Sequence, residues 1–177
     1  MDLVKRSFQH IEGISSKKEK LLWEEGVIDW QDAIDNIDYY AMPKSIKYVL
    51  KKELPKSIYN FNSKNYDYFI KNFPNKILYR LYPILTNKTV FLDIETTGLK
   101  PSAADITVIG CYDGKEMKVF VYGINEKEFL DYIKDYSIIV TFNGSCFDIP
   151  FLENYFETDI KCAQIDLRFL LKDLGYS

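Results

Sequence analysis

Two rhythms of apolar residues divide this chain. Up to about residue 88, apolar positions recur at three- and four-residue spacing, the mark of helices that bury one face. Ser15-Ser16 followed by Glu19 has the form of a capping box and predicts a helix over 17–25, with Leu21 and Leu22 on its apolar side and Gly26 as its stop. Asp29 caps a second helix, in which Trp30, Ala33, Ile34 and Ile37 keep helical spacing. Pro43 fits the first turn of a third helix carrying Ile46, Val49 and Leu50, and Pro55 is expected to end it. Residues 64–72 and 75–85 supply two shorter helical segments.

From Thr89 the period changes to short β-rich runs. Residues 89–94 form one such run, closed by the Thr96-Thr97-Gly98 turn. Residues 106–112 and 117–122 flank Asp113-Gly114, a pair that favours the tight turn of a β-hairpin. Residues 126–136 read as a helix with Phe129, Leu130 and Ile133 inward. The next run, 137–142, is wholly apolar at Ile138-Ile139-Val140 and is expected at the centre of the sheet. A helix from Phe147 or Asp148 to Phe156, a fifth strand around 162–167 and the start of a last helix complete the pattern. Strands joined first by a hairpin and then by helical crossovers predict an α/β fold, a mixed five-stranded sheet flanked by helices. An all-helical segment, 1–87, precedes this core, 88–177.

Composition narrows the classes. With 47% apolar and 28% charged residues in 177, the chain falls in the globular range, which excludes wholesale disorder and fibrous repeats. It has no run of about 18 apolar residues and no signal-peptide pattern, so a cytoplasmic protein with no membrane partner is expected. Three cysteines without CxxC spacing argue against a disulfide framework or a zinc site. The net charge of −3 hides a split: residues 1–88 hold 15 Lys and Arg against 11 Asp and Glu, and residues 89–177 hold 8 against 15. A basic half beside a half rich in carboxylates fits a polyanion-contacting segment attached to a cation-holding domain, or two halves that attract each other.

The carboxylates of the second half carry the chemistry. Asp93 and Glu95, two apart on an otherwise apolar strand, project from one face near its end. Such a pair repels itself unless cations lie between, and hard divalent ions, Mg²⁺ or Mn²⁺, suit oxygen ligands. About 50 residues later, a buried strand runs through Phe142-Asn143-Gly144 to Asp148 at the start of a helix, with Pro150 in its first turn. Asp148 there is either an N-cap or a residue pointing back to the strand ends.

Phe91-Leu92-Asp93-Ile94-Glu95-Thr96-Thr97-Gly98-Leu99 and Phe142-Asn143-Gly144-Ser145-Cys146-Phe147-Asp148-Ile149-Pro150-Phe151-Leu152 resemble the first and second motifs of the DEDD superfamily of 3′-to-5′ exonucleases. The closest resemblance is to the YprB-like predicted exonucleases, the ribonuclease H-like domain family 2. Phe8-Gln9-His10-Ile11-Glu12-Gly13-Ile14, with Glu19, Leu22-Trp23, Gly26-Val27 and Trp30, is similar to the segment that often precedes the nuclease core there. The resemblance implies a ribonuclease H-like fold and two divalent ions roughly 3.5 to 4 Å apart. By the same resemblance Asp93 bridges both ions, Glu95 binds the one carrying the nucleophilic water and Asp148 holds the second. Thr96, Thr97 and Asn143 are the implied substrate contacts, and the implied partner is a single-stranded nucleic-acid 3′ end.

The family also has a third motif, a His or Tyr a few residues before a fourth acidic ligand, and nothing after Asp148 matches it. Asp166 follows a strand where relatives often carry a non-ligand acid, Asp173 has no base beside it, and His10 lies in the helical segment. Weak or absent hydrolysis is therefore expected, as from a truncated exonuclease core. The competing expectation is a non-catalytic module that binds nucleic acid or protein with a degenerate nuclease fold. In the helical segment, Ile11-Glu12-Gly13-Ile14 before a helix has the form of a phosphate-meeting hairpin or of a packing turn. Lys44, Lys47 and Lys51, with Lys52 and Lys56, form a basic helix that either tracks a phosphate backbone or is a solvated face.

Overall fold

Ser15 opens the first helix as its sequence predicts, accepting from the Lys18 amide at the head of α1, Ser16–Glu24. Gly26, at a φ of 93°, ends it in the left-handed region that favours glycine. The computed structural model describes residues 2–176, which fall into two compact units that divide between Leu81 and Tyr82.

In the first unit, Glu19 does not close a capping box. It is buried, accepts from the Phe8 amide at 2.7 Å and from the Gln9 side chain, and pairs with Arg80 at 2.9 Å. The segment before α1 folds against it, and Phe8 N–H needs an acceptor that Glu19 supplies, with Arg80 compensating the buried charge. Asp29 caps α2, Trp30–Asp35, by accepting from Gln31 and Asp32. The third helix, α3, runs Lys44–Asn62 straight through Pro55, where the sequence predicts its end. Ile46, Leu50, Leu54 and Ser57 line one buried stripe along it, and that burial outweighs the roughly 3 kcal/mol that an internal proline costs. A short α4, Asp67–Asn72, and 3₁₀ turns over Asn75–Ile84 follow. Phe69 stacks on Trp30 at 5.4 Å, and both are fully buried in this core.

The units divide between Leu81 and Tyr82, earlier than the 87/88 boundary read from the sequence. Residues 82–88 pack as the lead-in to the first strand: the Tyr82 ring meets Phe91 at 6.1 Å, and the Thr89 hydroxyl donates to Leu85 O at 2.7 Å.

The second unit is a five-stranded mixed sheet. Its strands are β1, Thr89–Thr96; β2, Ile106–Tyr112; β3, Met117–Val121; β4, Ile138–Thr141; and β5, Ala163–Asp166. They lie in the order β3-β2-β1-β4-β5, with β1–β2 and β2–β3 antiparallel and β1–β4 and β4–β5 parallel. This is the α/β sheet predicted from the sequence. The central place, however, belongs to β1. β4 is entirely buried because β1 and β5 flank it, so its unbroken apolar run reports an interior strand one place from the edge. Helices α5, Phe129–Ile133, and α6, Asp148–Phe156, cover the face formed by Val90, Leu92 and Ile94, and α7, Leu167–Asp173, follows β5. A 3₁₀ turn, Glu126–Glu128, replaces the first turn of the helix expected at 126–136. No helix among the described residues is long and apolar enough to cross a membrane.

Candidate active site at a split in the sheet

Alternation along β1 sorts its side chains. Val90, Leu92 and Ile94 are buried under the helices, and Asp93 and Glu95 stand exposed on the opposite face. β1 keeps its ladder with β2 almost to its end, but its pairing with β4 stops at Phe91↔Val140. Beyond that point the two strands part, at the carboxyl ends of parallel neighbours, where open α/β sheets place their ligand crevices.

Asp148 fills this split. It is 4% exposed, and its Oδ1 accepts from Ile94 N at 3.2 Å, satisfying a strand amide that β4 no longer reaches. Ile94 lies between Asp93 and Glu95, so the second motif's carboxylate is tied to the backbone of the first motif. Of the two roles the sequence left open for Asp148, the structure gives it the one that points back to the strand. Burial pushes its carboxyl up to about 6, against the lowering hydrogen bonds from its own amide and that of Ile94, and the charges of Asp93 and Asp166 push the same way as burial.

The turn that delivers Asp148 is held from β5. Asp166 accepts from Asn143 N at 2.8 Å, from Ser145 N at 3.1 Å, from the Ser145 hydroxyl at 2.5 Å and from Arg168 N at 3.0 Å. Burial alone would raise the Asp166 carboxyl, but these donors, Ser145 foremost, hold it below the ordinary carboxylate range. Its two oxygens thus organise the turn. Asn143 takes a left-handed φ of 65°, and its Oδ1 accepts from Arg168 Nη1 at 2.6 Å. Gly144 lies against Thr141 so closely that a Cβ there would come within 2.3 Å of Thr141 Oγ1.

The other sequence-derived site residues are placed unequally. Thr96 donates its hydroxyl to Gly98 O at 2.7 Å, and the Thr97 hydroxyl accepts from Asp105 N at 2.9 Å, so both shape the loop after β1. Among the described residues no three His, Cys, Asp or Glu side chains converge into a metal-ligand group. Asp93 and Asp148 interact, and Asp93 and Glu95 both extend into water, where their repulsion is screened. The all-oxygen donor set still suits a hard divalent ion, and a cation beside Asp148 would relieve the charge excess that Asp93 imposes on it. Arg168, which fixes Asn143, and Asp166 as the organiser of the turn were invisible as partners in the sequence. Their spacing of two on a strand-to-helix junction carries no motif, and only the pairing Thr141↔Asp166 brings them to the turn.

In the first unit, His10 is buried, ringed by Trp30, Phe69 and Phe73. The basic helix is largely engaged: Lys51 pairs with Asp38 at 3.0 Å, Lys56 and Lys52 with Glu53 at 2.8 and 3.6 Å, and Lys47 donates to Asp38 O. Ile11 and Ile14 of the hairpin are buried, and Lys18 donates to Gly13 O at 2.7 Å.

Comparison with known proteins adds to this geometry. The RNase_H_2 family model, of the RNase_H superfamily, matches residues 90–177. Among solved structures, the family B DNA polymerase from the archaeon Pyrobaculum calidifontis aligns at 18% identity and a TM-score of 0.41, over 48% of this chain and 16% of its own. Brucella melitensis NrnC bound to pGG aligns at 20% identity and a TM-score of 0.40, over 51% of this chain and 46% of its own. The same protein with bound Mg²⁺ aligns at 22% identity and 0.40, over 51% and 47%. The chain thus spans less than half the length of each. None of the curated proteins matches it. Residues 90–177, with their β3-β2-β1-β4-β5 sheet and the Asp93–Asp148 junction, form a domain of the ribonuclease H superfamily, a membership that supports a nuclease-type function.

Proposed function

We propose that the second unit is a metal-dependent 3′-to-5′ exonuclease-type domain acting on phosphodiester bonds at single-stranded DNA or RNA ends, with hydrolysis weakened because no base and fourth acid of a third motif follow Asp148. The observation that carries this reading is the buried Asp148 carboxylate hydrogen-bonded to the amide between Asp93 and Glu95. Asp93, Glu95 and Asp148 would hold Mg²⁺ or Mn²⁺, which supplies Lewis-acid activation of water and stabilises charge on the leaving 3′ oxygen. The chain's own residues build the setting. The Ile94 amide fixes the Asp148 carboxylate at the split, Asp166 and Arg168 hold the Asn143 turn that delivers it, and the Thr96–Thr97 loop borders the end of β1.

Digestion of a 3′-labelled single strand in Mn²⁺ tests the reading, with slow release of labelled mononucleotide by the wild type and its loss in Asp93→Ala. Activity that persists in Asp93→Ala would remove these carboxylates from the chemistry. A second reading, nucleic-acid binding without hydrolysis, is favoured by the lack of a converging three-ligand group among the described residues. Equal inactivity of both proteins with binding retained would support it instead.

A further inference from the structure

Beside the Asn143 turn lies a cavity of about 600 Å³ whose walls include Phe142, Arg168, Phe169, Leu171, Lys172 and Tyr176. Phe142 leaves the end of β4 and the rest come from α7 and the residues after it. Three of its rings stand largely in water: Phe142 is 61% exposed, Phe169 48% and Tyr176 68%. A soluble domain seldom displays such a cluster without use for it.

The charge of the cavity is opposite to that of its surroundings. Residues 89–177 carry 8 Lys and Arg against 15 Asp and Glu, yet among the described residues the ionisable ones lining the cavity are Arg168 and Lys172, with Tyr176, and no Asp or Glu. Flat rings interleaved with cations are what an unpaired stretch of nucleic acid requires, since each base offers a π-face and each linkage a negative charge. The cavity also joins the candidate active site through one side chain. Arg168 lines the cavity and donates to Asn143 Oδ1 at 2.6 Å, and Asn143 begins the turn that ends at Asp148.

We propose that this cavity is a stacking platform for single-stranded nucleic acid, seating unpaired nucleotides next to the carboxylate site. Phe169 and Phe142 take base faces, and Arg168 and Lys172 meet phosphates. The identity of the ligand rests on the nuclease reading, but its test does not.

Fluorescence anisotropy of a labelled oligo-dT with the full chain in EDTA measures binding where hydrolysis plays no part. Phe169→Ala is expected to weaken binding about tenfold, and Phe169→Trp to restore it. Lys172→Gln is expected to flatten the dependence of log K on log salt by about 0.7, the effect of one phosphate contact on a single strand. Absence of binding by the wild type, or unchanged affinity and salt slope in Phe169→Ala and Lys172→Gln, would overturn the proposal. So would a wild-type dimer in sedimentation that Phe169→Ala dissociates without changing oligonucleotide affinity, since the cavity would then seat a second copy. If these binding effects appear while Asp93→Ala still cleaves, the carboxylate assignment fails and the platform stands.

Discussion

His10 carries the strongest burden of burial at the residue scale. Its Nε2 lies 2.8 Å from Ser57 Oγ, whose own proton goes to Glu53 O, so the ring donates through Nε2 and Nδ1 is left without a partner among the described residues. Burial lowers its pKa from 6.5 to about 3. Between those values the unfolded chain binds a proton that the native chain refuses, so stability is full above pH 6.5 and falls as the pH drops toward 3. At pH 4.5 the loss is on the order of 3 kcal/mol. Urea unfolding followed by tryptophan emission is a direct check, because Trp23 and Trp30 share the first unit with His10. His10→Phe is expected to remove most of the difference between pH 7 and pH 4.5, and an unchanged slope in that variant would refute the assignment.

At the scale of elements, the informative feature is the turn between β4 and α6. Gly144 has an ordinary φ, so its requirement for glycine is steric: Thr141 Oγ1 and Cβ would lie 2.3 and 2.4 Å from an added Cβ, and Thr141 is buried. Gly144→Ala is expected to cost roughly 2–3 kcal/mol, in the range of overpacked cores, and to displace the Asn143 and Ser145 amides from Asp166. Thermal unfolding of the variant checks the first effect, and the second would appear as lost exonuclease activity beyond the loss of folded protein. A variant as stable as the wild type would show that the turn adapts. Pro55 shows the converse: the local rule for proline predicts the end of α3 there, and one buried stripe carries the helix seven residues further, to Asn62.

The whole molecule joins a basic half to an acidic one, and the acidic half concentrates its unrelieved charge where Asp93 and Asp148 meet. Mn²⁺ is therefore expected to raise the melting temperature of the wild type, by an amount equivalent to about 2.7 kcal/mol at 100 times the dissociation constant. The gain should be larger at pH 7.5 than at pH 5, because a carboxyl raised to about 6 must give up its proton to bind. Asp93→Ala and Asp148→Asn should lose the response. Equal shifts in these variants would place the ion elsewhere.

Read along the chain, the apolar rhythm alone determined the helical first half, the hairpin, the crossovers and therefore the mixed α/β sheet, because periods of 3.6 and 2 are local consequences of which face is buried. The motif residues were legible too, since Asp93 and Glu95 share a strand face by parity and Asp148 opens a helix. Only the tertiary structure decided where β1 parts from β4, which sets Asp148 on the Ile94 amide, and that β1 takes the central place. It alone recruited Asp166 and Arg168 to the Asn143 turn and diverted Glu19 from its cap to Phe8 and Arg80. Those pairings join residues 11 to 61 positions apart, and no local pattern encodes them, because burial lets each polar group satisfy itself with whatever partner the packed elements bring near.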